Sequence, residues 1–168
     1  MTKQQDRSLY LAQGAMIAAL YVALTFLANL LGLASGVVQV RLSEALTVLP
    51  VFTPAAVPGL LVGCLLANSL TGCAVWDVVF GSLATLLGAL GTRWLRGRRV
   101  LCLLPPIAAN TLIVPFVLAW VYQAEGTIPF FMLTVGAGEV LSCGVLGWLL
   151  RAALQKYGSG IRWASAHK

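Results

Sequence analysis

Apolar residues run through this chain in blocks too long for the core of a soluble domain, interrupted by short clusters of charge, proline and glycine. A helix that crosses the hydrocarbon core of a bilayer needs roughly 20 mostly apolar residues. Six stretches fit that description: about 9–33, 37–53, 55–71, 75–95, 100–122 and 127–154. The second is short and carries Arg41 and Glu44 near its start, and Pro54 and Pro58 punctuate the chain after it. The pattern predicts an all-α integral membrane protein, one transmembrane domain over residues 1–168, with six transmembrane helices. The first stretch is too long for the apolar region of roughly 7–15 residues in a signal peptide, and no A-x-A site follows it, so it is expected to stay in the mature protein.

With six spans both termini face one side, and charge says which. Lys and Arg accumulate in short cytoplasmic loops. Lys3 and Arg7 precede the first span, Arg93, Arg96, Arg98 and Arg99 join the fourth to the fifth, and Arg151, Lys156, Arg162 and Lys168 end the chain. Ten of the 11 basic residues are then cytoplasmic, and Arg41 alone is not. Trp76, Trp120 and Tyr122 at the outer span ends, and Tyr10, Trp94, Trp148 and Tyr157 towards the inner ends, read as interfacial belts. The expected location is a bacterial-type plasma membrane, crossed several times with both termini cytoplasmic.

Composition agrees, with 60% hydrophobic and 10% charged residues. The net charge of +6 raises nucleic acid as a partner. The only candidate patch, Arg93 to Arg99, is already explained by its place at a membrane boundary, so none is expected. Cys64, Cys73, Cys102 and Cys143 are widely spaced, and the one histidine, His167, lies in the polar tail, which indicates neither zinc nor a disulfide framework. The chain carries no phosphate-binding loop, no H-E-x-x-H and no nucleophile motif with a histidine partner. It reads as neither an enzyme nor an ATPase, with no cofactor of its own.

The informative residues are polar groups where lipid disfavours them. An ionisable side chain at the centre of a spanning helix costs ~2.5–3.5 kcal/mol on insertion scales, so it usually faces a cavity and has a function. Arg41 and Glu44, three apart, are expected to share one helix face at the outer end of the second span, where they can pair. Asp77 enters the fourth span from outside, and Glu139 lies roughly 18 Å along the sixth, near mid-membrane. Asn68 falls in the outer half of the third span and Asn110 near the midplane of the fifth. Each asparagine alone can be helix glue. Together the six describe a pocket, open to the outside, for a small flat solute that offers hydrogen-bonding edges.

Small residues mark close helix contacts. Ala15, Ala19 and Ala23 form a stripe on the first span with Ala12 one turn earlier, Gly59, Gly63 and Ala67 do so on the third, and Gly81, Gly88 and Gly91 populate the fourth. One such stripe is available for another protein.

The segments R-L-S-E-A-L from Arg41, G-L-L-V-G-C-L-L-A-N from Gly59 and D-V-V-F-G-S-L-A-T-L from Asp77 resemble the queuosine-precursor transporter family, whose members are S components of energy-coupling factor (ECF) transporters. The resemblance covers most of the chain. It implies a six-helix, vitamin-type substrate-capture subunit that joins a transmembrane coupling subunit and two cytoplasmic ATPases, which use the ATP, and topples in the bilayer to release its solute. The family's A-x-x-x-A motif corresponds to Ala15 and Ala19, the implied contact with the coupling subunit. The implied solute is a 7-deazaguanine: preQ1, the aminomethyl precursor of queuosine, or preQ0 or queuine. For such a solute Glu139 or Glu44 is expected to take the ring edge, Asp77 the ammonium, and Asn68 and Asn110 the remaining polar atoms. The alternatives are a self-sufficient proton-coupled carrier of a cationic metabolite using Glu139, and a membrane enzyme or structural assembly subunit.

Overall fold

The computed structural model describes residues 3–33 and 38–164. Val37, His167 and Lys168 lie outside the described residues. Helix α1 spans Lys3–Leu30. It ends in a turn in which Gly32 takes φ +70° and the Leu33 N–H reaches back to the Ala28 carbonyl at 2.9 Å, a glycine-terminated C-cap. The chain then runs as extended backbone through Gln39 and Arg41 into a 3₁₀ helix, Leu42–Val51. Helices α2 (Ala56–Leu70), α3 (Val75–Trp94) and α4 (Leu104–Trp120, led in by a 3₁₀ turn at Leu101–Leu103) follow. The last rod is continuous over Ile128–Tyr157: α5 (Ile128–Glu139), a π-helical stretch (Val140–Leu146) and α6 (Gly147–Tyr157).

Among the described residues four helices are long and apolar enough to cross a bilayer: Gln4–Leu30, Val75–Trp94, Leu101–Trp120 and Ile128–Tyr157. The other two expected spans are shorter. The stretch expected as a span over 37–53 forms a 10-residue 3₁₀ helix, about 20 Å long at ~2.0 Å per residue. Arg41, just ahead of it, is in extended backbone, and Pro50 removes a donor near its end. A helix this thin is sustained by burial on nearly all sides: Ser43, Glu44 and Leu46 through Pro50 are all buried. The outward face of the molecule carries exposed Leu11, Met16, Leu20, Leu133 and Leu149, as lipid requires.

The helices approach closely where side chains vanish. A Cβ on Gly59 would lie 2.7 Å from the Gly14 carbonyl oxygen, and one on Gly88 2.7 Å from the Pro106 Cα, so α1 meets α2 and α3 meets α4 nearly backbone to backbone. The contact between α1 and α2 therefore uses the Gly14, Ile17 and Ala18 face of α1. Ala15, Ala19 and Ala23 point away from it and are exposed.

The end of the molecule that bears the arginine loop is closed by hydrogen bonds. Arg151, expected as part of a cytoplasmic basic tail, is buried; its guanidinium donates to the Arg98 and Arg99 carbonyls and contacts Cys102 Sγ at 2.8 Å. Arg93 donates to the Pro50 carbonyl (3.0 Å) and the Thr92 hydroxyl to that of Cys102 (2.8 Å). The C-terminal segment folds back over this end. Gln13 accepts from the Ala164 N–H and the Thr53 hydroxyl, both at 3.0 Å, and Trp163 stacks on Phe52 at 5.3 Å.

Candidate functional site

At the opposite end the bundle opens into a cavity of about 320 Å³. Every element that reaches this end contributes to it except the last rod: Tyr21, Thr25 and Asn29 from α1, Gln39 and Arg41 from the extended segment, Ser43, Asn68 and Thr71, Asp77, and Tyr122. Tyr21, Thr25 and Asn29 lie on one face of α1 by their i, i+4, i+8 spacing, which sets a polar strip among apolar turns.

Of the six residues expected in a pocket, Arg41, Asn68 and Asp77 line this cavity. Glu44, Asn110 and Glu139 form a buried layer beside it, each with at most 4% of its surface exposed. The Tyr21 hydroxyl, at the cavity wall, donates to Glu44 Oε1, and Asn110 Nδ2 lies 3.5 Å from Glu44 Oε2. Cys143 Sγ lies 3.1 Å from Glu139 Oε2, and Arg41, Gln39 and Glu139 together border a void of about 10 Å³, room for a single water. Arg41 thus stands between the two layers.

The expected helical pairing of Arg41 with Glu44 takes another form. Arg41 precedes the 3₁₀ helix in extended backbone, φ −98° and ψ 98°, so the two do not share a helix face, and the hydrogen bonds of Glu44 go to Tyr21 and Asn110. Glu44, Glu139 and Cys143 also place three atoms of metal-binding type within 4.8 Å of one another. The short contact from the Cys143 sulfur to Glu139 is that of a thiol donating to a carboxylate, and Thr47 donates to the same sulfur at 3.4 Å. This is a hydrogen-bonded cluster.

Two residues read from the sequence as packing or interface have a different place. Tyr122, expected in the aromatic belt, lies just beyond the end of α4 and donates to Asp77 Oδ2 at 2.9 Å while accepting the Ala74 N–H at 3.1 Å. Burial and the Asp77 carboxylate push its phenol up to about 12, so it remains a proton donor at any physiological pH. Cys143, read from the sequence as a small hydrophobic packing residue, belongs to the carboxyl cluster. Tyr21, Thr25, Gln39 and Ser43 were not singled out in the sequence at all. The strip on α1 was findable there, whereas the reach of Tyr122 to Asp77 depends on where α4 ends.

A polytopic helical membrane protein with a ligand-sized polar cavity at one end and a sealed opposite end has the architecture of a small-solute transport protein. The family model described as "QueT transporter" matches residues 11–156, and the chain belongs to that family, one of transporters rather than enzymes. The chain is similar to the queuosine precursor transporter QueT of Lactococcus lactis subsp. cremoris (strain MG1363), 37% identical over 73 residues, which take in 44% of this chain and 43% of that relative. The match thus spans less than half the length of the relative. No solved structure matches the chain.

Proposed function

We propose that this protein is the substrate-binding membrane subunit of an ATP-driven ECF-type importer and captures a queuosine precursor of the 7-deazaguanine type from outside the cell. The observation that carries the reading is the outer cavity, whose wall sets Asp77, Arg41 and Asn68 around about 320 Å³. That volume lies at the small end of the ~300–1,000 Å³ typical of ligand sites, which suits a fused two-ring solute. A guanine-like ring presents N–H donors on one edge and a carbonyl oxygen beside them. Gln39, Asn29 and Asn68 supply amide acceptors and donors, Arg41 a donor for the oxygen, and Asp77 a counter-charge for the aminomethyl ammonium of preQ1.

The assembly part of the proposal rests on the resemblance of the sequence to S components and on the stripe Ala15, Ala19 and Ala23, which is exposed and takes no part in the internal contact of α1 with α2. The stripe would receive the coupling subunit, and the two ATPases would bind through that subunit. Equilibrium binding of preQ1, preQ0, queuine and guanine to the purified chain tests capture: saturable binding of a deazapurine is expected, and failure of all four to bind overturns it. Replacing Ala15 and Ala19 by leucine should abolish recovery of the ATPase subunits with the chain while leaving preQ1 affinity within about twofold. Loss of binding would instead mean that the stripe packs within the chain.

A second reading, a self-sufficient proton-coupled carrier, draws on the pairing of Glu139 with Glu44 beside Arg41 in a buried layer. Uptake in cells with and without the ATPase module separates the two. Uptake that persists without the module favours the carrier.

A further inference from the structure

The cavity residues Gln39 and Arg41 do not come from a helix. They come from a few residues of extended backbone beside the π-helical stretch, whose peptide groups must find partners outside any helix of their own. Two residues of the last rod accommodate this backbone. A Cβ on Gly138 would occupy the position of the Gln39 carbonyl oxygen, with the Gln39 carbonyl carbon at 3.1 Å, so the extended segment lies directly on the glycine. One turn further on, the fully buried Ser142 accepts the Arg41 N–H on its hydroxyl at 3.1 Å. Ser142 lies within the π-helical stretch, which begins immediately after Glu139. Such irregular turns commonly accompany functional sites.

We propose that Gly138 and Ser142 are positioning residues of the site: they form a seat that holds the Gln39–Arg41 segment in place and so presents both side chains to the solute. Neither residue lines the cavity, and both act through the segment they hold. The ligand consequence rests on the reading of the cavity as a deazaguanine site. The seat itself does not.

Hydrogen exchange in the ligand-free, full-length protein therefore comes first. Ser142→Ala should speed exchange in the peptide covering residues 38–45 while leaving α2 and α3 unchanged. Unchanged exchange in that peptide would overturn the seat whatever the protein binds. With preQ1 as the probe, Ser142→Ala should weaken binding roughly 5- to 10-fold, the effect of about one hydrogen bond. Ser142→Thr, which keeps the acceptor, should restore most of it. Gly138→Ala, which must push the carbonyl aside, should weaken binding by at least roughly tenfold. In a background carrying both Gln39→Ala and Arg41→Ala, Ser142→Ala should change affinity less than about twofold, because its effect passes through those two side chains. A full, additive effect there would show that Ser142 acts by another route and would overturn the proposal. Should the wild-type chain bind no deazapurine while the exchange result holds, the solute assignment fails and the seat stands.

Discussion

The two ends of this bundle solve the same problem, backbone and charge in a lipid solvent, in opposite ways. At the arginine-loop end the irregular stretches are tied by named bonds: Arg151 and Arg93 donate to loop carbonyls, Gly88 lets Pro106 come against α3, and the C-terminal segment closes over Gln13 and Thr53. At the other end comparable polar groups line a cavity, and the Gln39–Arg41 segment contributes to it from non-helical backbone. The first arrangement maximises contact. The second leaves donors and acceptors facing a cavity, the arrangement of a site that receives a polar solute. The contrast teaches that charge in this chain marks two distinct things, a sealed boundary and a receptive site, and that only partner geometry tells them apart.

Substitutions at the two ends should therefore separate stability from binding. The largest effect is expected at the sealed end, where Gly88→Val drives a branched side chain into Pro106, whose Cα would already be 2.7 Å from a Cβ. A loss of about 3 kcal/mol is expected, read as a lowered thermal midpoint in detergent, with preQ1 affinity per folded molecule unchanged. A binding defect without destabilisation would break the comparison.

At the open end the order should reverse. Asp77→Asn should leave the thermal midpoint nearly where it was and weaken preQ1 binding by ~1.5–3 kcal/mol, roughly 10- to 100-fold, since it removes a charge-assisted bond. Binding of the uncharged preQ0 should hardly change. Equal losses for both solutes would place the ammonium elsewhere. Smaller still is the effect of Tyr122→Phe, about 1 kcal/mol on preQ1 affinity, because the phenol only orients Asp77. With that phenol protonated up to about pH 12, the difference between Tyr122→Phe and wild type should be flat from pH 6 to 9 in a titration of binding against pH. A slope in that window would mean that Tyr122 does not act as a neutral donor.

Much of this was legible in the residues themselves. The apolar runs fall close to the long helices: beside 75–95 stands Val75–Trp94, and beside 127–154 stands Ile128–Tyr157. Arg41, Asn68 and Asp77 stood out because lipid makes polar residues conspicuous, and they do line the cavity. The second stretch takes a different form from the one expected, for a physical reason. Hydropathy measures how apolar a segment is, and residues 42–51 are apolar because they are buried by neighbouring helices, not because they cross the bilayer as a regular α-helix. The helix face expected to be shared by Arg41 and Glu44 went with it, since helical spacing has meaning only inside a helix.

What the sequence determined alone is the solvent and the cast: helices for lipid, an end rich in cations, and a few polar side chains too costly to be idle. Their chemistry is local, fixed by residue type and by the expense of burying it. Which of them face the hollow, which retreat into the layer of Glu44, Asn110 and Glu139, and how Gly138 and Ser142 come to underlie Gln39 and Arg41, were decided only when distant segments met. Those contacts join residues up to 101 positions apart, and no periodicity along one strand of sequence encodes a distance across the bundle.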